Sequence, residues 1–398
     1  TSGKILIEGN QAGALGAMFA GVTFLSWYPI TPSSSLAESL QAFLERYRRD
    51  PVTKQATFGI IQAEDEIAAI GMVLGASWAG ARAMTTTSGP GLSLMTEFVG
   101  YAYYAEIPAV IWDIQRIGPS TGLPTRTSQA DLLSTVFMSH GDTKHVVLLP
   151  SSVEDCFTFG MTAFDLADRF QTPVFVLSDL DLGMNTWMSE PFRYPEKPWD
   201  RGKVLDADAL AKVAAFERYR DLDKDGVPYR TLPGTDHPMA GYFTRGSGHD
   251  ERAHYTENPE TYTRVMDRLA KKYETVRASV PAPVIERAPG AEIGILGFGS
   301  SHWGIVEARE RLREEGLSLS YLLLKAIPFS SEVKAFLESC ERLYVVEQNR
   351  DGQMASLLKM EYPELAGRIR SILHYDGLPL DAQSIVDQVR EREGVLAR

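Results

Sequence analysis

The chain has 398 residues, a hydrophobic fraction of 44% and a formal net charge of −12 at pH 7. The acidic balance argues against nucleic acid or an anionic membrane as the main partner, and the length predicts two or three domains. We recognise no signal peptide and no apolar run near the ~20 residues of a membrane helix, so we expect a cytoplasmic protein. The two cysteines, Cys156 and Cys340, are too few for a four-thiolate iron–sulfur cluster or a structural zinc site.

Short β-branched runs alternate with helical patterns over the first part of the chain, which predicts a doubly wound α/β domain with a parallel sheet at residues 1–188. The predicted strands are 4–8, 22–27, 57–61, 82–86, 109–114, 145–149 and 173–178. The predicted helices are 33–47, 66–78, 92–104 and 152–169.

Residues 189–287 are rich in proline, charge and aromatic side chains, and we expect a structured connection with loops near the active site. Its predicted helices are 207–218 and 259–279. Residues 288–398 return to an α/β pattern and predict a second, smaller parallel-sheet domain. Its predicted strands are 293–298, 318–324, 342–346 and 370–372, and its predicted helices are 301–315, 331–339, 352–360 and 382–391.

The stretch 28–34, with the sequence YPITPSS, marks the point where a predicted strand gives way to a helix. Pro32 suits the first turn of a helix, and Thr31 is the predicted N-cap. Such a turn at the carboxyl end of a strand, with hydroxyls and free backbone N–H groups, is where open α/β sheets bind anionic ligands. A capped helix without any ligand is the alternative.

Two further polar clusters follow predicted strands. Residues 85–91, with the sequence TTTSGPG, need hydrogen-bond partners for four consecutive hydroxyls, either an anionic ligand or the neighbouring turn at Thr31. Residues 64–66 are three acids at the start of a helix. Favourable interaction with the helix dipole accounts for two of the three, which leaves a role open for the last, Glu66.

Arg116 ends a strongly apolar strand and is followed by the glycine-rich loop 118–125. An arginine at the carboxyl end of a central strand can hold a carboxylate ligand with a bidentate fork. A structural salt bridge to one of the acids at 64–66 is the competing interpretation.

The acidic turn at Asp221, Asp223 and Asp225 matches the first half of a calcium loop, but Leu232 stands where a bidentate glutamate belongs. A bound divalent cation and a solvated acidic turn are therefore both open, and the solvated turn is favoured.

The turn at 297–302, with the sequence GFGSSH, follows a predicted strand and opens a helix. It lacks the third glycine of the dinucleotide fingerprint, so a tight turn is favoured over nicotinamide or flavin binding.

Together these segments resemble the catalytic α subunit, or α portion, of the 2-oxoacid:ferredoxin oxidoreductases, most closely those of the 2-oxoglutarate type. The residues that carry the resemblance run in order over most of the chain. They are WYPITPSS at 27–34, EDE at 64–66, TSGPGLSLM at 87–95, QR at 115–116 with the loop 118–125, DLGMN at 181–185 and YFTRG at 242–246.

The resemblance implies a thiamine-diphosphate enzyme, with residues 1–188 as the pyrimidine-binding domain and residues 288–398 as a transketolase C-terminal-like domain. Glu66 matches the catalytic glutamate that bonds to N1′ of the aminopyrimidine. Thr31 and Arg116 match positions that hold the 2-oxoacid carboxylate, and Ser33 is expected to bind substrate beside them. The other expected cofactor contacts are Tyr28, Pro29, Ile30, Ser88 and Gly89.

The implied reaction is oxidative decarboxylation of a 2-oxoacid, with 2-oxoglutarate as first choice, to acyl-coenzyme A and carbon dioxide, with electrons passed to ferredoxin. The diphosphate motif of thiamine enzymes, G-D-G followed by Asn, is absent from the sequence. The resemblance therefore implies a β subunit that holds the diphosphate, Mg²⁺ and a [4Fe–4S] cluster, in an (αβ)2 assembly, and no metal site in this chain.

Three alternatives stay open at this point. In fused members of the family a γ domain precedes the α portion, so such a domain could precede Thr1 in the native polypeptide. A non-catalytic structural or regulatory subunit would keep the fold without the chemistry. The same chemistry could also act on pyruvate or branched-chain 2-oxoacids.

Overall fold

The computed structural model describes residues 3–394, whose strands form three sheets. The strands in chain order are β1 (Ile5–Glu8), β2 (Phe24–Trp27), β3 (Gly59–Gln62), β4 (Ala83–Thr87), β5 (Ala109–Gln115), β6 (Val146–Leu148), β7 (Pro173–Asp179), β8 (Thr186–Ser189), β9 (Val284–Glu286), β10 (Ile293–Gly297), β11 (Leu319–Leu323), β12 (Ala326–Ile327), β13 (Arg342–Glu347) and β14 (Ile369–Leu373). The helices are α1 (Gly9–Phe19), α2 (Ser34–Tyr47), α3 (Glu66–Trp78), α4 (Gly89–Leu94), α5 (Thr96–Ala105), α6 (Leu132–Val136), α7 (Val153–Phe170), α8 (Leu180–Met184), α9 (Ala207–Leu210), α10 (Pro259–Arg277), α11 (Ser301–Glu314), α12 (Ser331–Glu338), α13 (Gln353–Glu361) and α14 (Ala382–Glu393), with a 3₁₀ helix at Pro363–Arg368. No helix of this part of the chain is long and apolar enough to cross a membrane.

The first sheet has the strand order β12-β6-β7-β5-β4-β2-β3 and is parallel except for β12. β5 and β7 are buried along their whole length, which explains their nearly continuous apolar sequences. β2 and β4 are neighbours in this sheet. After β2 the next strand, β3, is added on one side, whereas after β4 the next strand, β5, is added on the other side, so the strand order reverses between β2 and β4. Ligands of open α/β sheets bind at such a point, beyond the carboxyl ends of the strands.

The second sheet has the order β14-β13-β10-β11-β9, and within it, over residues 3–394, only β9 is antiparallel to its neighbour. β9 lies within the predicted connection 189–287, while β12 leaves the second part of the chain to pair with β6 of the first sheet. Phe175 of β7 and Val345 of β13 belong to one buried cluster. The two sheets therefore share a continuous apolar core.

Most predicted elements are confirmed, and the mixed α/β class with parallel sheets is confirmed with them. Three expectations are wrong. β1 pairs with β8 outside the main sheet, the helix expected at 92–104 is split at Met95 into α4 and α5, and the helix expected at 207–218 ends at Leu210. The sequence analysis also missed helix α1. Both cysteines are free and buried.

The glycine turn at 297–302 packs against the first part of the chain. Gln129 Nε2 donates to the Phe298 carbonyl at 3.0 Å, and Ser300 Oγ donates to Asp179 Oδ2 at 2.7 Å. Gly299 has a φ of 58°, and a Cβ there would lie 2.7 Å from Gln129 Nε2. The space that a dinucleotide pyrophosphate would need is filled by protein, and the tight-turn interpretation is confirmed.

A buried ion-pair cluster holds the connecting segment against the first sheet. Glu106, the residue after α5, lies 2.5 Å from Arg268 Nη2 and 2.8 Å from Lys272 Nζ, both on α10. Burial alone would raise the pKa of Glu106, but the two cations outweigh it and hold the pKa well below its usual range. The long helix of the connection is therefore fixed on the domain that carries the candidate site.

Candidate active site

Four segments meet at the carboxyl edge of the first sheet, around the point where its strand order reverses. They are the turns after β2 and β4, the start of α3 after β3, and Arg116 after β5. Arg116 Nη1 donates to the Thr31 carbonyl at 2.7 Å, and Ser88 Oγ donates to the Ile114 carbonyl at 2.8 Å. The structure thus brings together the residues that the sequence places at separate strand ends.

The turn after β2 differs from the prediction that Thr31 caps the next helix. α2 begins at Ser34 with Ser33 at the N-cap position, so Thr31 lies two residues too early to cap it, and the Thr31–Pro32 peptide bond is cis. The turn satisfies its own polar groups, because Ser33 Oγ donates to the Ile30 carbonyl at 3.1 Å and Ser34 Oγ accepts from the Ile30 N–H at 3.1 Å. The side chain of Thr31 is therefore left exposed at the surface.

The other predicted residues of this turn fall into two groups. Tyr28 and Pro29 are exposed and Ile30 is half-buried, so all three can be reached by a ligand. Ser33 is fully buried with its hydroxyl on the Ile30 carbonyl. The structure does not place Ser33 on the open side with Thr31, so its contact with substrate stays a prediction.

Asn10 is a residue of the site that sequence reasoning missed. It lies in the first turn of α1, fully buried, and its Nδ2 donates to the Pro32 carbonyl at 2.9 Å and to Ser35 Oγ at 2.8 Å. The two bonds fix the turn that presents Thr31. A single asparagine in a glycine- and alanine-rich stretch gave no signal of this role, since the helix itself was missed.

Glu66 is the first residue of α3, and the structure separates the roles of the three acids at 64–66. Asp65 is the N-cap, because its Oδ1 accepts from the Ala68 N–H at 2.7 Å, and Glu64 is exposed. Glu66 is only 6% exposed, and its carboxylate has no hydrogen-bond or ion-pair partner among residues 3–394. Neither of its carboxylate oxygens is among the fully buried polar atoms that lack a partner, so both stay accessible to a ligand at the site.

Gly91 in α4 faces Glu66 across the site. A Cβ at position 91 would lie 2.6 Å from both Cγ and Oε1 of Glu66, and closer still to Thr87 Oγ1. Only glycine fits this approach between the start of α3 and α4. The stretch 85–91 thus packs directly against Glu66 and limits where its side chain can lie.

Arg116 is 7% exposed and makes no ion pair with the acids at 64–66 in the described part of the chain. The competing interpretation, a salt bridge to those acids, is therefore wrong. Its Nη1 bonds to the Thr31 carbonyl, while its buried Nε has no partner. Burial lowers the pKa of Arg116, and the charge of Asp131 opposes that effect. The guanidinium keeps donors for an anionic ligand beside Thr31.

The hydroxyls in the second half of β4 and directly after it are only partly satisfied. Ser88 Oγ is bonded to the Ile114 carbonyl, whereas the buried hydroxyls of Thr85 and Thr86 have no partner in the described residues. Gly89 opens α4 and is half-buried. Ser88 is fully buried, and contacts of Ser88 and Gly89 with a cofactor stay predictions.

The acidic turn at 221–226 does not leave room for a cation between its carboxylates. Lys203 Nζ lies 2.7 Å from Asp223 Oδ2 and 2.8 Å from Asp225 Oδ1. Asp221 accepts instead from the backbone N–H groups of Asp225 and Gly226, at 3.1 and 2.9 Å. The ammonium group of Lys203, from outside the motif, lies where a bound cation would lie. The structure therefore supports an acidic turn over a divalent-cation site.

Comparison with known proteins places this site in a family. A sequence-family model described as the thiamine-diphosphate-binding domain of pyruvate flavodoxin/ferredoxin oxidoreductases matches residues 15–224. The chain is 38% identical over 357 residues to 2-oxoglutarate synthase subunit KorA of Methanothermobacter thermautotrophicus, a match covering 88% of this chain and 89% of that subunit. It is 37% identical over 367 residues to subunit alpha of 2-oxoacid:ferredoxin oxidoreductase 2 of Aeropyrum pernix, covering 89% of this chain and 56% of that one.

Solved structures agree with these matches. The 2-oxoglutarate:ferredoxin oxidoreductase from Magnetococcus marinus, solved with 2-oxoglutarate, coenzyme A and succinyl-CoA bound, matches 98% of this chain with a TM-score of 0.88 and 32% identity. An inactive split-gene transketolase tetramer shares the fold alone, with a TM-score of 0.53 and 12% identity. The chain spans 56% of the Aeropyrum subunit and 65% of the Magnetococcus chain.

Proposed function

The chain belongs to the family of 2-oxoacid:ferredoxin oxidoreductase α subunits, and we propose from this premise that it is the catalytic α chain of such an enzyme. The proposed reaction is oxidative decarboxylation of a 2-oxoacid, with 2-oxoglutarate as first choice, to acyl-coenzyme A and carbon dioxide, with electrons passed to ferredoxin. The observation that carries the proposal is Glu66, a largely buried side chain at a helix start whose carboxylate stays accessible and has no partner in the described residues.

Thiamine diphosphate is the cofactor that this proposal requires. When bound, it supplies the thiazolium carbon that attacks the 2-oxo group. The residues present fit its aminopyrimidine part, since Glu66 lacks a donor, Gly91 keeps the approach to it narrow, and Tyr28 and Pro29 are exposed beside it. Glu66 would bond to N1′ and thereby help a proton move at the 4′ nitrogen.

Thr31 and Arg116 are the proposed holders of the substrate carboxylate. Arg116 Nη1 donates to the Thr31 carbonyl, which holds the guanidinium next to the exposed residue Thr31. Asn10 holds the same turn from within. The site therefore has its donors in place before a carboxylate arrives, which reduces the ordering cost of binding.

A partner chain is the second requirement of the proposal. The surface beside the site exposes large apolar side chains, an arrangement typical of an interaction surface. They are Tyr28, Ile61, Ile67 and Leu94. We propose that a β subunit covers them in an (αβ)2 assembly and brings Mg²⁺, the diphosphate contacts and a [4Fe–4S] cluster. A cytoplasmic location and a γ domain before Thr1 stay predictions.

The test is a reconstitution of the chain with the β chain that copurifies with it. We expect ferredoxin reduction that depends on thiamine diphosphate, coenzyme A and a 2-oxoacid, fastest with 2-oxoglutarate when pyruvate and branched-chain 2-oxoacids are tried in parallel. Reduction that is no faster with any 2-oxoacid than without one would refute the proposal.

A further inference from the structure

Two acids that the proposed chemistry does not use lie together behind the substrate site. Asp113 is in the middle of β5 and fully buried, and neither of its carboxyl oxygens has a hydrogen-bond donor in the described residues. Asp131, just before α6, lies within hydrogen-bonding range of it, and its own Oδ2 has no other partner. A lone acid inside the apolar strand AVIWDIQ was a signal available in the sequence.

The pair lies directly against the candidate site. A Cβ on Gly89 would lie 2.8 Å from Asp131 Oδ2 and 2.9 Å from its Oδ1, so the acid packs under the start of α4. On the other side, the Asp131 N–H donates to Gln115 Oε1 at 3.1 Å, next to Arg116. Gly89 and Arg116 are both residues expected to contact cofactor or substrate.

Asp113 is fully buried without a donor and Asp131 is half-buried beside it, so ionising both carboxyl groups together is costly. Burial raises the pKa of Asp113 well above its ordinary value, and the charge of Asp131 raises it further. Burial also raises the pKa of Asp131, to about 6, while the hydrogen bond from Asp113 and the charge of Arg116 hold it down. At neutral pH the pair therefore keeps one proton, with Asp113 donating to Asp131.

The charge on this pair acts on Arg116. The negative charge of Asp131 raises the pKa of the Arg116 guanidinium, although no ion pair within 4 Å joins the two side chains in residues 3–394. The groups facing Asp131 are Asp113, Gln115 and Arg116 from β5 and its end, and the Gly89 backbone from α4. With one proton the pair is singly negative and offsets the charge of Arg116, whereas with two protons it leaves that charge free for an incoming anion.

We propose that Asp113 and Asp131 are positioning residues that set the charge Arg116 presents to the substrate carboxylate, and that substrate binding draws a second proton from solvent into the pair. The proton returns to solvent when the carboxylate leaves. The inference rests on the proposed role of Arg116 in holding a 2-oxoacid.

The expected signature is a KM for the 2-oxoacid that rises as pH passes above about 6. Above that pH Asp131 is ionised and repels the incoming carboxylate, and below it the pair is neutral. A coupling of one pKa unit corresponds to about tenfold in affinity, which sets the expected size of the rise. kcat should change far less, because the pair touches neither Glu66 nor the reacting atoms.

The test uses the complete complex with its β partner and the variant Asp131→Asn, which keeps the side-chain shape but cannot ionise. We expect the KM profile of this variant to be flat between about pH 5.5 and 8, since its charge no longer titrates. The matched control is Glu97→Gln, which removes a charge from a side chain on α5 that is 82% exposed, and it should keep the wild-type profile. A wild-type profile that is flat, or an Asp131→Asn profile that still rises, would overturn the inference.

A second readout does not depend on activity. Difference infrared spectra of wild type minus Asp113→Asn at pH 7 should show the carbonyl band of one protonated carboxylic acid, and its absence would also overturn the inference. If the band is present but wild type shows no turnover with any 2-oxoacid, the proposed function is wrong. The proposed effect of Asp113 and Asp131 on substrate binding is then wrong as well. The two failures are thus told apart by the infrared band.

Discussion

Gly91→Ala tests the geometry of the site without changing any residue that carries charge. The added methyl would lie 2.6 Å from Glu66 Cγ and Oε1, and closer to Thr87 Oγ1. Since non-bonded carbon atoms settle at ~3.5–4.0 Å, Glu66 has to move by about 1 Å. A displacement of that size costs ~100-fold in rate, so we expect kcat to fall by about that factor.

The same substitution should lower the free energy of unfolding by about 1–3 kcal/mol, the usual cost of overpacking a filled site. Urea unfolding and the kinetics of ferredoxin reduction measure the two effects separately. The control is Gly367→Ala in the 3₁₀ helix, where a Cβ meets no atom within 4 Å. We expect both quantities to stay near wild type there. A folded Gly91→Ala protein with kcat within about threefold of wild type would refute the described position of Glu66.

Three further predictions concern other parts of the molecule. Asn10→Ala removes two hydrogen bonds that hold the turn before α2 and the start of that helix. The free energy of unfolding should therefore fall by about 1–3 kcal/mol, and KM for the 2-oxoacid should rise. An unchanged KM in steady-state kinetics would show that the turn does not need these bonds. Glu106→Gln leaves Lys272 buried without its carboxylate and should cost about 3–5 kcal/mol in urea unfolding, whereas a loss below about 1 kcal/mol would contradict the cluster's role. NADH should give no saturable fluorescence change, because protein fills the space at the turn 297–302, and saturable binding would contradict that reading.

The elements that the sequence predicted well are those with a strong apolar period. α3 was predicted with its observed bounds, since its apolar positions repeat at helical spacing and Asp65 marks its start. α1 was missed because GNQAGALGAMF offers small residues in place of a hydrophobic stripe. Its glycines serve tertiary packing, as a Cβ on Gly13 would lie 2.6 Å from Trp112. Such a close approach depends on the partner strand, which a local pattern does not contain.

The helix expected at 207–218 failed for a related reason. α9 stops at Leu210, and Arg218 is drawn into the core, where its Nη2 donates to the Glu106 carbonyl at 3.0 Å. A long-range hydrogen bond of this kind overrides local helix propensity.

The position of the candidate site was predictable because it lies at strand ends. Thr31, Glu66 and Arg116 each follow a different strand, and a parallel sheet brings such positions to one edge. Asn10 and Asp131 could not be found in the same way, because each acts through a neighbour that only the folded chain supplies. The lysine that fills the acidic turn at 221–226 was hidden for the same reason.

The central claim is that Glu66 does chemistry, and Glu66→Gln in the complex with the β subunit tests it most directly. The variant should assemble as wild type does, which size-exclusion chromatography measures, because the side chain has no partner to lose within residues 3–394. Turnover with 2-oxoglutarate, thiamine diphosphate and coenzyme A should fall by at least ~100-fold, while Glu97→Gln should keep the wild-type rate. An assembled Glu66→Gln complex that turns over like wild type would contradict the account and favour a structural subunit.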